Sequence, residues 1–193
     1  FLSLTVLLWL ASPNLRAGLP ASLANRVVFS NQHIDLRVAA MPAGTNELSL
    51  VLVNEDAGLT VNAEEAVLLG GANAQLVLPA GFDRFGMEGA PFWVLPQSQD
   101  PSLVHLGLSA EDLPDDAFAT QIAFALLGVN GPGDFFLWQF DAATGLNVVM
   151  DSRDGITPDD RTSLAVGSHG HFNWGFSSNG DRKSTRLNSS HGY

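Results

Sequence analysis

The chain has 193 residues, with 9 Lys and Arg against 20 Asp and Glu, a formal charge of −11 and no cysteine. So acidic a surface repels nucleic acid and anionic lipid, whose binding needs clustered Lys and Arg. The absence of cysteine excludes disulfides, thiolate metal sites and cysteine nucleophiles. The length suits one domain whose hydrophobic interior needs no covalent staple.

At the N-terminal end, "FLSLTVLLWLA" (residues 1–11) is an apolar run of signal-peptide length, followed by Pro13 and by small residues at cleavage points after Ala17 or Ala24. It is shorter than the roughly 20 apolar residues of a transmembrane helix. Residues 1–24 are therefore expected to be an export signal that has lost its initiator Met and basic segment; a buried first strand is the alternative.

From residue 25 onward strand signals dominate: short segments of period-two alternation, rich in Val, Leu and Phe. "HIDLRV" places Ile34, Leu36 and Val38 on one face and His33, Asp35 and Arg37 on the other. "ELSLVLV", "QLVLP", "FWVLP", "LVHLGL", "QIAFALLGV", "FFLWQF" and "LNVVM" continue the pattern. Turn signals such as "NEDAG", "LGGAN", "NGPGD" and "DAATG" separate them at the roughly 8–12 residue spacing of a sandwich or barrel. Helix signals are few: "NAEEAVLL" offers Asn62 as an N-cap, and "SAEDLPDDAF" a single turn around Ser109. The expected fold is all-β, one antiparallel β-sandwich of Ig-like or jelly-roll-like type over residues 25–180.

The C-terminal stretch "DRKSTRLNSSH" (residues 181–191) resembles, codon for codon, the translation of a sequencing adapter. It holds the chain's only Lys, Lys183, and is soon followed by its only Tyr, Tyr193. Residues 181–193 are thus expected to be artefactual, which removes His191 from functional consideration. Without Asp181, Arg182, Lys183 and Arg186 the remainder carries 6 Arg against 19 acids, a charge of −13.

The candidate site centres on "GSHGHFNWGF" (residues 167–176). On one strand, His169, His171 and Asn173 share a face, while Phe172, Trp174 and Phe176 share the other and belong in the core. Two imidazoles two residues apart lie about 7 Å apart at the backbone, within reach of one Zn²⁺ that takes nitrogen ligands near 2.0 Å. His33 is the preferred third ligand, with Asp35 as a further donor on the same face, provided that their strand lies near His169 and His171. The alternative is a polar network or an exposed edge. Elsewhere, Asp151, Asp154, Asp159 and Asp160 in "DSRDGITPDD" read as a solvated turn, because Arg153 breaks the calcium-loop pattern. Gln97, Gln99 and Asp100 read as loop-ordering groups. No nucleophile elbow, carboxylate pair or phosphate loop stands out.

Several landmarks recur in one order: "HIDL", "PFWVLPQSQDPSLVHLGLSAEDLP", "GVNGPGDFFLWQFDAATG", "DSRDGI" and "VGSHGHFNWGF". Together, over residues 30–178, they resemble the choice-of-anchor M domain, also met as the actinobacterial surface-anchored protein repeat. The resemblance implies an exported β domain displayed on a cell surface through a C-terminal anchor, with some relatives associated with metal uptake. It implies no catalytic residues. Relatives continue past "NWxF" into a further strand and then the anchor, so the last strand is expected to be missing here. Relatives often carry Trp where this chain has His105 and Leu108, which sets His105 outside any shared site. The resulting expectation is a secreted, surface-anchored binding or structural module rather than an enzyme. It would contact membrane or cell wall only through the missing anchor. The alternatives are a zinc-type metal-binding protein linked to metal uptake, or a metal-dependent hydrolase.

Overall fold

The computed structural model describes residues 2–8, 23–40, 48–113 and 120–191, with side chains from Leu23 to Gly180. In chain order the strands are β1 (Leu2–Leu8), β2 (Val27–Phe29), β3 (His33–Ala40), β4 (Leu48–Asn54), β5 (Leu59–Asn62), β6 (Ala66–Gly70), β7 (Gln75–Val77) and β8 (Pro91–Leu95). There follow β9 (His105–Ser109), β10 (Gln121–Leu126), β11 (Phe135–Asp141), β12 (Gly145–Asp151), β13 (Arg161–Ala165), β14 (His169–His171), β15 (Asn173–Phe176) and β16 (Gly180–His191). The fold is all-β and sandwich-like, as the alternation predicts.

The strands form three sheets, ordered β13-β10-β16-β1-β6-β2, β12-β11-β15-β8-β7 and β14-β9-β3-β4-β5. Most neighbours are antiparallel, but β3 runs parallel to β9, and β6 parallel to both β1 and β2. Leu2–Leu8, within the segment read as an export signal, and Gly180–His191, which runs from the end of the domain into the segment read as artefactual, are neighbouring strands of the first sheet. Among the described residues, no helix is long and apolar enough to cross a membrane.

The main core lies between the sheets. Ile34, Leu36 and Val38 of β3 are fully buried, as are Leu106 and Leu108 of β9, and they belong to one cluster with Trp93, Phe124, Phe135, Phe172, Trp174 and Phe176. Each such side chain contributes about 1.5–3 kcal/mol by leaving water. A second cluster, Phe85, Phe92, Val94, Phe136 and Trp138 with Leu78, covers the other face of the β8–β11–β15 sheet. Gly175 lets that packing close, since a Cβ there would lie 2.3 Å from Trp138 and 2.8 Å from Phe92.

Two local readings are corrected. Asn62 caps no helix: only a 3-10 turn, Ala63–Glu65, precedes β6, because the chain turns at once into the buried strand Ala66–Gly70. "HGHFNWGF" is two strands rather than one. β14 pairs with β9 in one sheet and β15 pairs with β8 and β11 in another, the chain changing sheets at Phe172. The bend leaves Phe172, Trp174 and Phe176 in the core as expected, and places Asn173 on the other sheet, where it accepts from the Gln97 amide at 2.9 Å.

Candidate metal centre

The parallel pairing of β3 with β9 sets His33 beside His105, Asp35 beside Gly107 and Arg37 beside Ser109. On the far side of β9, His171 of β14 faces Gly107 and His169 faces Ser109. Period-two alternation then brings all these side chains to one face of the sheet. The row His171–Gly107–Asp35 is decisive, because Gly107 contributes no side chain and its neighbours lean into the space above it. A Cβ at Gly107 would stand 2.2 Å from Asp35 Oδ1, 3.0 Å from His171 Cε1 and 3.3 Å from His171 Nδ1.

Three imidazoles converge there. His33 Nε2 lies 3.2 Å from His171 Nε2, and the rings of His105 and His171 stack at 3.8 Å with an interplanar angle of 8°. One ring nitrogen from each of His33, His105 and His171 lies within 4.8 Å of the others. Asp35 Oδ1 is 3.8 Å from His33 Nε2, and Asp35 is only 2 % exposed.

His105 Nε2 lies 2.9 Å from the carbonyl oxygen of Gln97, which can only accept, so Nε2 carries the proton and Nδ1 keeps its lone pair. This outer hydrogen bond is the arrangement that orients metal-ligating histidines. His105 Nδ1, His171 Nδ1 and Asp35 Oδ1 are buried without a hydrogen-bond partner. Leaving such groups unsatisfied costs about 1–3 kcal/mol each. Burial, together with the neighbouring His105, His33 and His169, lowers the pKa of His171 to about 4, which keeps its imidazole neutral. Burial also raises the pKa of Asp35, against the pull of His33, His169 and Arg37.

This donor set fits a borderline divalent ion. Tetrahedral Zn²⁺ with nitrogens at 2.0–2.1 Å separates its ligands by about 3.3 Å, close to the 3.2 Å between His33 and His171. Three imidazoles and one carboxylate favour Zn²⁺ and similar transition ions over Mg²⁺ or Ca²⁺. The near-parallel stack of His105 on His171 sets their in-plane lone pairs side by side, so ligation by both requires one ring to tilt.

Of the sequence-predicted ligands, His33, His171 and Asp35 meet here. His169 does not join them: its Nδ1 lies 2.8 Å from Glu111 Oε1, nearer the surface. His105, set aside on the sequence, takes the third ligand's place. Its same-face pattern with Gly107 and Ser109 is visible in "HLGLS", but nothing local announces that β9 lies beside β3.

Beyond Asp35, Arg37 forms a charged hub. Its guanidinium bonds Glu55, Glu111 Oε2 at 3.2 Å, Asp112 Oδ2 at 2.7 Å and Ser109 Oγ at 3.2 Å. Burial opposes its charge, but the bonds to Asp112 and Glu55 outweigh that and hold its pKa up. Carboxylate oxygens of Asp35, Glu55 and Glu111 also cluster within 4.8 Å, yet Arg37 is already the cation among them.

No family model, curated protein or solved structure matches this chain.

The other sequence candidates have structural roles. Gln97 Oε1 accepts from the Phe140 amide at 2.9 Å, and the Gln97 amide donates to Asn173 Oδ1 at 2.9 Å, so the loop is ordered as expected. Of the four aspartates in "DSRDGITPDD", only Asp154 and Asp159 are exposed. Asp151 and Asp160 are buried, because Asp160 accepts the amides of Asp151 and Thr157, each at 2.7 Å, and Asp151 accepts from Arg84 at 2.8 Å. A cleft of about 370 Å³ opens beside this loop, lined by Arg84, Met150 and Asp154 among others, and the histidines take no part in it.

Proposed function

We propose that the domain binds one zinc-type divalent ion through His33, His105 and His171, with Asp35 as the fourth donor. The observation that carries this reading is the convergence of three imidazoles from three strands on a space where two ring nitrogens and a carboxylate oxygen are buried and unpartnered. An ion among these rings would take up the Asp35 oxygen and the His105 Nδ1 lone pair, and His171 would offer it one of its two ring nitrogens. The outer bond from His105 to Gln97 and the missing side chain at Gly107 support the same reading.

In its setting, the protein is an exported, surface-anchored module. This part rests on the resemblance to the choice-of-anchor M domain and on the apolar N-terminal run. A holding or delivery role for the ion suits such a module.

Calorimetric titration of the full chain with Zn²⁺ at about pH 7.5, where free imidazole is mostly neutral, tests the reading. One-to-one binding at micromolar affinity or tighter, lost in His105→Ala, is expected. Equal binding by wild type and His105→Ala would remove His105 from the site, and no binding by the wild type would remove the site itself.

A further inference from the structure

The histidine that stands outside the cluster is placed to serve it. His169 and His171 are alternate residues of β14, their ring centroids are 5.6 Å apart and their planes nearly perpendicular at 82°. The His169 side chain is 43 % exposed and that of Glu111 34 %. The Glu111 carboxylate accepts from His169 Nδ1 at 2.8 Å, which fixes the proton on Nδ1 and leaves the Nε2 lone pair available. This carboxylate-to-histidine bond is the one that makes an imidazole a better metal ligand. Glu111 is itself tied down by Ser109 Oγ at 3.1 Å and by Arg37 at 3.2 Å, so the pair is held rather than free to swing.

The surrounding charge favours an incoming cation. Glu55, Glu111 and Asp112 stand partly exposed at this rim, with side-chain exposures of 48 %, 34 % and 62 %, and among the described residues Arg37 is the one Lys or Arg that pairs with them. Three carboxylates against one guanidinium leave an excess of negative charge that concentrates divalent ions at the rim.

We propose that His169, oriented by Glu111, is the transfer imidazole of the metal site: the ion lands on it from solvent, passes to His171 and its partners, and leaves by the same route. The proposal rests on the reading of His33, His105 and His171 as resident ligands. No bond to carbon or change of oxidation state is involved; the ion exchanges water and His169 for the inner nitrogens. A transfer group of this kind lowers the barrier in both directions and leaves the equilibrium unchanged. A resident ligand, by contrast, slows release.

Stopped-flow mixing of the full chain with Co²⁺, followed by the visible absorption of the four-coordinate ion, separates these roles. Release is read by mixing the loaded protein with excess EDTA. In His169→Ala and in Glu111→Gln, association and release are both expected to slow about tenfold, with Kd within twofold of wild type; steering and guiding groups change rates on this scale. The wild-type association rate should fall with added salt more steeply than that of Glu111→Gln. A rise in Kd of tenfold or more through faster release alone would make His169 a resident ligand and overturn the proposal. Unchanged rates would reduce the His169–Glu111 contact to a surface ion pair and overturn it equally. Failure of the wild type to bind Co²⁺ would instead overturn the metal reading beneath it.

Discussion

Replacing Gly107 by Ala adds one methyl group at the centre of the site and touches no proposed ligand chemically. The new Cβ would stand 2.2 Å from Asp35 Oδ1 and 3.0 Å from His171 Cε1, well inside the roughly 3.5 Å at which non-bonded heavy atoms rest. Asp35 must retreat by about 1 Å or more, and it is 2 % exposed with Arg37 at 4.0 Å on its other oxygen. Overpacking of this kind costs about 1–3 kcal/mol, offset by about 0.5–1 kcal/mol because Ala suits a strand better than Gly. For a domain of this size a net loss of about 1–2 kcal/mol lowers the melting temperature by about 2–8 °C. The consequence for metal is larger: displacing a ligand and its neighbour should weaken Zn²⁺ binding at least tenfold, as loss of outer-shell support does elsewhere. Gly170→Ala is the control, since a Cβ on that neighbouring strand meets nothing closer than 3.5 Å. Paired thermal melts and Zn²⁺ calorimetry on the two variants give the comparison. If Gly107→Ala binds Zn²⁺ as tightly as Gly170→Ala and melts no lower, Asp35 and His171 do not share the space above Gly107, and the site as described is wrong.

Further outcomes follow from the same atoms. Zn²⁺ at about 100 times Kd should stabilise the folded chain by about 2.7 kcal/mol, raising its melting temperature by about 5–11 °C, and differential scanning calorimetry with and without EDTA should show that rise in wild type and its absence in His33→Ala. Gly175→Ala should destabilise by about 1–3 kcal/mol through Trp138 and Phe92 without altering Zn²⁺ affinity, so urea melts and a titration together separate core from site. Asp141 accepts the amides of Thr144 and Ala143, which hold its pKa below the ordinary 3.8. Its contribution to stability is therefore complete above about pH 4 and is lost as pH falls through the lowered value. Asp141→Asn should flatten the acid end of a urea-midpoint profile, and an unchanged profile would count against that turn.

The sandwich was legible because alternation is local. "HIDLRV" shows which apolar residues face inward, and Ile34, Leu36 and Val38 are buried accordingly, whereas "FFLWQF" is buried on both faces from Phe135 to Trp138 and leaves Phe140 exposed. Less regular strands such as Leu59–Asn62 and Arg161–Ala165 lack that signal and owe their state to their neighbours. His33, Asp35 and His171 could be chosen as ligands because alternation also fixes the polar face. His105 could not, because its membership depends on the parallel pairing of β3 with β9, which joins residues 72 positions apart and leaves no mark on either segment. The displacement of His169 depends in turn on Glu111, which lies just beyond β9 in "SAEDLPDDAF", a segment that reads as a single helical turn around Ser109 but in which Ser109 ends a strand.

Anomalous diffraction at the zinc edge from crystals grown with Zn²⁺ would locate the ion. One strong peak is expected about 2.0–2.2 Å from nitrogens of His33, His105 and His171, with Asp35 in the remaining position and the His105 ring tilted from its stack on His171. A peak on His169 and Glu111 alone, or none among the histidines, would contradict the proposed metal site.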